Sequence, residues 1–201
     1  MNALLGSAYA GNINYFSCIK KADKIAIECY EHFTKQSYRN RCEVYGANGK
    51  LNLIIPIIRK KGKNPVREIK IDYSSNWQKI HWKSLQSSYR SSAYFEYYEH
   101  QFHKLYNHDK PGFLVDFNME LTSLIIKALD LDVSIDQTTS YQKNIDGFID
   151  YRNSIHPKLP PTDHYKEQGY FQVFNDKFGF LSNLSIYDLL FNMGPESVLY
   201  L

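Results

Sequence analysis

The sequence predicts an α/β fold: a three-layer domain with a mostly parallel sheet, an inserted β-hairpin and flanking helices. Three patterns predict it. A strand–helix–strand succession opens the chain. An Asn-Gly turn sits between two apolar runs. Three amphipathic helical stretches follow one another between residues 76 and 129.

Residues 3–9 are a short apolar run ending in small residues, which reads as a buried first strand. Gly11-Asn12 then marks a turn or helix start, and Ile13, Phe16, Cys18, Ile19 and Ala22 recur at roughly helical spacing. Residues 24–29 alternate around an apolar centre and form a second strand. Strand, helix and strand in about 30 residues make a βαβ unit and hence a parallel pair. Residues 42–45 and 51–58 flank the turn Ala47-Asn48-Gly49, a strong hairpin signal. Residues 60–65 form a charged loop, and residues 66–72 alternate as another strand. Residues 76–90, 93–106 and 113–129 read as helices, the first capped by Ser74 or Ser75. Residues 132–138 suit a strand. Residues 142–169 are polar and end in Pro157, Pro160 and Pro161; a loop this long inside a compact domain is usually functional or mobile. Residues 170–174 read as a short strand, and residues 185–191 as a last helix capped by Ser185 or Asn183 and stopped at Gly194-Pro195.

The 201 residues suit one domain, 1–201, with 43% hydrophobic and 22% charged residues, an ordinary globular balance. Three cysteines, Cys18, Cys29 and Cys42, have no paired spacing, which argues against a disulfide framework and a structural zinc site. No apolar run is long enough to span a bilayer and no signal segment opens the chain, so a cytoplasmic location without membrane insertion is expected. Charge is uneven: residues 1–100 carry 16 Lys and Arg against 8 acids, and residues 101–201 carry 8 against 13. The basic half can recruit an anion, but the net charge of +3 argues against a dedicated nucleic-acid binder. No P-loop, GxGxxG, GxSxG or HExxH signature occurs, and no cofactor is expected. The sequence leaves the oligomeric state open.

The sharpest cluster is Lys35-Gln36-Ser37-Tyr38-Arg39-Asn40-Arg41. In an extended stretch Lys35, Ser37, Arg39 and Arg41 share one face, so three cations could meet one ligand. The alternative is a loop whose cations pair with acidic neighbours such as Glu28 and Glu31. A second basic cluster, Arg59, Lys60, Lys61, Lys63, Arg67 and Lys70, suits either nucleic acid or a solvated loop. His81 could act as a general base, its tautomer fixed by Asp72 or a carbonyl; otherwise it is bonded at the core edge. His156-Pro157-Lys158 could close over a ligand as a lid. His100, His103 and His108 have no carboxylate or cysteine to complete a metal set.

The chain also resembles a known family. Ala8-Tyr9, Tyr15-Phe16 and Ala22-Asp23 carry the likeness first. The segment from Lys35 to Cys42, Asn48-Gly49, Pro56, His81-Trp82, Ser87 and Tyr89 follow. His156-Pro157-Lys158, Tyr170, Gln172-Val173-Phe174 and the tail from Asn183 to Pro195 complete it. In this order the pattern is similar to the WbqC-like family of bacteria, over nearly the whole chain. The resemblance implies a transferase of surface-polysaccharide (O-antigen type) biosynthesis, moving an aminoacyl or acyl group, such as glycine, onto an activated sugar. Many members carry a Gln-Pro-x-Tyr-like motif after the first strand. Here Ser7-Ala8-Tyr9-Ala10-Gly11 stands there, so only Tyr9 carries over.

In open α/β sheets ligands sit at the carboxyl ends of the strands, which places Tyr9 and the residues after Cys29 near one cleft. As an enzyme, the chain would hold a nucleotide-sugar or acyl donor through Lys35, Tyr38, Arg39 and Arg41. Asn40, Gln172, Asn183, His156 and Lys158 would add polar contacts, and His81, with Asp72, would take the acceptor's proton. A non-catalytic binder of an anionic metabolite or protein partner, and a nucleic-acid binder, stay open beside it.

Overall fold

The computed structural model describes residues 1–58, 62–107 and 110–201. Arg59, Lys60 and Lys61 of the second basic cluster, and His108 of the histidine set, lie outside the described residues.

The fold is α/β. Strands β1 (Asn2–Gly6) and β2 (Lys24–Glu28) pair in parallel through helix α1 (Ile13–Lys21), as the opening pattern requires. Asn12 caps α1, its side chain accepting from the Tyr15 N–H, and Lys20 and Lys21 complement the dipole at the far end. Central residues Ala3, Leu4 and Leu5 of β1 are wholly buried. Such an all-apolar run marks a strand covered on both faces.

After β2 the chain leaves the sheet for about half its length. It forms the hairpin β3 (Arg41–Gly46) and β4 (Gly49–Ile54), turning where Gly49 takes a φ of 98°. Pro56 ends that pairing, and β5 (Ile57–Ile58) instead pairs with β6 (Lys70–Ile71). Helices α2 (Trp77–Tyr89), α3 (Phe95–Asn107) and α4 (Leu114–Ala128) follow. The chain then returns to the sheet as β7 (Ser134–Gln137) beside β2, and as β8 (Phe148–Asp150) beside β1. The order β7-β2-β1-β8 is parallel throughout, and strand order reverses between β1 and β8. A short helix α5 (Asn175–Phe178) and helix α6 (Ile186–Met193), capped by Ser185, close the fold.

Several expectations need correction. Residues 66–72 do not run as one strand. A 3-10 turn over Val66–Glu68, closed by Glu68 N–H to Pro65 C=O (3.0 Å), leaves only the two residues of β6. Residues 170–174 pair with no strand; the Gln172 amide bonds both backbone groups of Leu181 (2.8 and 2.9 Å) in place of a ladder. Asn76, rather than Ser74 or Ser75, precedes α2, and its side chain makes no capping bond. The polar stretch 142–169 hides β8.

The aromatic surplus goes inside. Tyr9, Tyr45, Tyr89, Tyr106 and Tyr187 are among the largest fully buried side chains, alongside Phe16, Phe95, Phe102, Phe117 and Phe191. Each buried hydroxyl then needs a partner, or desolvation costs about 1–3 kcal/mol. Cys18, Cys29 and Cys42 are free and buried. Among the described residues no helix is long and apolar enough to cross a membrane.

Gly194 ends α6 with a φ of 54°, and a Cβ there would overlap the Tyr94 ring. Gly194→Ala therefore combines left-handed strain with overpacking, and urea unfolding should report a loss of about 1–3 kcal/mol or more.

Candidate functional site at the carboxyl edge of the sheet

The carboxyl ends of the four parallel strands carry a buried cluster of charges. Glu28, the last residue of β2, is 0% exposed. Its Oε1 accepts from Tyr30 N–H (2.8 Å) and the Thr138 hydroxyl (2.9 Å), and its Oε2 from Arg152 Nη1 (3.2 Å). Arg152 stands just past β8 and forks onto Asp150 through Nε (3.0 Å) and Nη2 (2.6 Å). It also donates to the Gln142 and Lys143 carbonyls (2.9 and 2.7 Å). The end of β2, the end of β8 and the loop at residues 142–143 thus meet on one guanidinium.

Beside it a second pair forms. Arg39 donates from Nε (2.8 Å) and Nη2 (2.5 Å) to the same Glu31 oxygen, and reaches the Arg152 carbonyl (3.4 Å). This pair lies against the backbone at the end of β1. A Cβ on Gly6 would come within 3.0 Å of the Glu31 carboxylate and 3.1 Å of the Arg39 guanidinium. Glycine is what lets the charges approach the strand end so closely.

Between these groups is a crevice of about 10 Å³, lined by Gly6, Ser7, Ala8, Tyr38, Arg39 and Arg152 among others. That volume holds about one water-sized group. It sits where strand order reverses, the place where open α/β sheets bind ligands. A wider, open depression of about 500 Å³, lined by Asp150 among others, shares Tyr151 with it.

Burial raises the pKa of Glu31, and Arg39 works against that rise. Burial also opposes the Asp150 charge, but the bonds from Arg152 outweigh it and hold that carboxyl below its usual value. His156 follows on the same loop. Burial, with Arg39 and Lys158 nearby, lowers its pKa, and its Nδ1 accepts from Lys158 N–H (3.2 Å). At neutral pH its Nε2 therefore carries the hydrogen and is a donor.

The cationic segment does not act as one face. Residues 35–40 fold into turns, with Gln36 at a φ of 58°. Lys35 goes outward to a separate groove and Arg39 inward to Glu31. Arg41 begins β3, its buried Nε without a partner among the described residues. The pairing alternative for this segment is the one realised at Arg39. Tyr38 lines the crevice; its carbonyl accepts from Tyr9 N–H (2.8 Å). Asn40 is occupied by the Ile55 carbonyl (2.9 Å). Asn183 accepts from Asn14 N–H (3.0 Å), and Gln172 is fully buried against Asp188 (2.8 Å) and Leu181. Lys158 is exposed.

Tyr9 and His81 belong to a second system, inside the core. The Tyr187 hydroxyl donates to Tyr106 (2.9 Å), Tyr106 to Tyr9 (2.5 Å), and Tyr9 to His81 Nδ1 (2.8 Å). The ring's other nitrogen bonds the Ile54 carbonyl. Every donor in this chain has one acceptor. Asp72 accepts from Ser74 N–H (2.8 Å), so Tyr9 and the Ile54 carbonyl, and not Asp72, orient the imidazole. Burial lowers the His81 pKa to about 4, which leaves it neutral and a weak base at pH 7.

Glu28, Glu31, Asp150 and Arg152 were not singled out as site residues from sequence. Their one legible signal was acid placed at a strand end, Glu28 closing β2, with Glu31 three residues on.

The model of the WbqC-like protein family matches residues 7–156, and the chain belongs to that family. A Mycobacterium tuberculosis protein, described as the uncharacterized protein Rv1507c, is 23% identical over 224 residues, covering 99% of this chain and 96% of its own. No solved structure matches.

Two predictions follow from the buried groups. Arg152→Met strands the buried Glu28 charge and should cost about 3–5 kcal/mol in urea unfolding, whereas a loss below about 1 kcal/mol would show that the pair is not buried in solution. His81, lowered from 6.5 to about 4, contributes stability that is complete above pH 6.5 and lost as pH falls towards 4. The loss should reach about 3 kcal/mol. It is best read in an Asp188→Asn background, because burial raises Asp188 from 3.8 to about 6. The stability from Asp188 has the opposite sign: it is present below pH 3.8 and lost as pH rises through about 6.

Proposed function

We propose that the protein transfers an aminoacyl or acyl group, with glycine as the simplest case, onto an activated sugar, and that the crevice between β1 and β8 admits one polar group of the donor's head, the rest lying in the open depression beside it. The observation that carries this reading is the charge state of the crevice. Both arginines lining it are already matched by carboxylates, Arg39 by Glu31 and Arg152 by Asp150 and Glu28. A pair-neutralised wall favours a zwitterionic or neutral head group over a bare anion, because the carboxylates that already answer the two guanidiniums oppose a further net negative charge. An amino acid or its activated form has that head group. Membership of the WbqC-like family is compatible with the reading.

The chemistry needs little from the protein. Burial pushes the Cys18 and Cys29 thiols up to about 11 and Cys42 higher still, so no thiolate is ready to form an acyl-enzyme. Direct attack by a neutral amine of the acceptor requires only positioning and removal of one proton. The His156 Nε2–H would polarise the donor carbonyl. As the new C–N bond forms, the bond between the carbonyl carbon and the donor's activating group breaks and that group leaves with the electron pair, while the amine's proton would pass to solvent or to Glu31, whose pKa burial raises. His81, with both nitrogens engaged, would orient Tyr9 and not act as base.

A non-catalytic binder is the second reading, favoured by the full pairing of Arg39 and Arg152. The two part in one assay: activated aminoacyl donors with amino-sugar nucleotide acceptors, product followed by mass. Transfer that falls at least about tenfold in Arg39→Lys, where the forked contact is lost, supports the enzyme. Donor binding without product in any combination supports the binder. A further variant tests the neutral crevice itself. Glu31→Gln unmasks Arg39, so thermal-shift preference should move from amino acids to simple carboxylates; an unchanged preference would contradict the pair-neutralised picture.

A further inference from the structure

A second cavity differs from the crevice in size and in charge. It is a groove of about 520 Å³ between the segment that follows β2 and the loop that precedes β6. Phe33, Ile57 and Ile69 form its apolar floor, and His32, Lys35 and Lys63 its rim. No carboxylate is among the described residues that line it. Lys35 and Lys63 are exposed, and among the described residues neither has an ion-pair partner. The walls are held in register by Phe33 N–H to Asn64 C=O (2.9 Å), Val66 N–H to Glu31 C=O (2.8 Å) and a bridge between His32 and Pro65. The groove is thus built by paired backbone and not by side chains meeting by chance.

We infer that this groove binds a nucleoside diphosphate, its phosphates on Lys35 and Lys63 and its base on the apolar floor. The volume lies in the range of about 300–1,000 Å³ typical of small-molecule sites. Two lysines act as point charges and suit a phosphate oxygen from several directions, where a planar carboxylate would call for the arginine fork. Half-buried Phe33 supplies aromatic surface for a base, which a diphosphate alone would leave unused. Position matters as well. His32 is the residue after Glu31, and three residues separate Lys35 at the groove from Arg39 at the crevice. A ligand whose diphosphate lay in the groove would carry its attached group toward the carboxyl edge. The inference rests on the transfer reading for its purpose, since it names where the activated sugar would be held. It does not rest on it for the binding itself.

The test is calorimetric titration of the whole chain with uridine diphosphate, inorganic pyrophosphate and geranyl diphosphate, using wild type and the double variant Lys35→Glu/Lys63→Glu. Both residues are exposed, so the variant should keep the wild-type circular dichroism and melting temperature. Uridine diphosphate should bind, pyrophosphate at least about tenfold more weakly, and reversal of both charges should weaken uridine diphosphate by about tenfold or more, most clearly at low salt. No binding of any of the three at low salt would overturn the site. So would an affinity unchanged in the double variant. Tighter binding of geranyl diphosphate than of uridine diphosphate would overturn the nucleotide assignment. The two readings fail separately. Nucleotide binding lost in the double variant, with no transfer product found, supports the groove and removes the transfer. Transfer lost in Arg39→Lys, with nucleotide affinity unchanged in the double variant, does the reverse.

Discussion

Two arginines held out of water at the ends of parallel strands set the terms for the rest of the molecule. Each such charge costs several kcal/mol to desolvate unless its hydrogens are all answered. Arg152 answers its own with Glu28, Asp150 and two loop carbonyls, and Arg39 with Glu31 and the Arg152 carbonyl. Those partners come from β2, from the end of β8, from the segment after β2 and from the polar loop near residue 142. A three-residue strand such as β8 has little intrinsic stability. Its parallel pairing with β1 and the Arg152 bonds together hold it at the sheet edge. The same bonds give the crevice its floor and its near-neutral walls, so fold and site draw on one set of interactions.

The core meets a related constraint with hydroxyls. Packing five large tyrosines inside brings five O–H groups into an apolar interior. Three of them are resolved by passing a single direction of donation along Tyr187, Tyr106 and Tyr9 to an imidazole kept neutral by its burial. Tyr9 joins the two systems: its backbone follows the crevice residues Gly6, Ser7 and Ala8, and its side chain reaches His81 on α2. Any change that tilts α2 would be felt at the crevice wall through this one residue.

Much of the fold was legible because local patterns and tertiary demands agree. The alternation at residues 24–29, the Asn48-Gly49 turn and the apolar stripe of α4 each describe an element that the structure contains. What was missed has a common cause. β8 is Phe148-Ile149-Asp150, too short to show a period, and its reason for being a strand is a neighbour almost 150 residues earlier. The site was legible only in part. Sequence pointed to the segment around Arg39 and left open its pairing with Glu31, but an extended reading put Lys35 and Arg41 on the same ligand. The turn at Gln36 separates them. Arg152 sits in a polar loop where only Asp150, two residues before it, is a nearby partner, and Glu28 is brought to it by the sheet. The sequence offers His81 as a base whose tautomer Asp72 or a carbonyl would fix, while burial beneath Tyr9 and Trp77 makes it a neutral acceptor.

The central claim is that the edge between β1 and β8 receives a small zwitterionic head group. It is tested most directly by proton–nitrogen correlation NMR during titration with glycine and with a non-hydrolysable glycyl adenylate analogue. The account predicts shifts in the amides of Gly6, Ser7 and Arg152 and in the Arg39 and Arg152 Nε–H signals, with the amides of the β3–β4 hairpin unmoved. Shifts confined to the hairpin or to α2, or no shift at the two arginine side chains at saturating ligand, would contradict it.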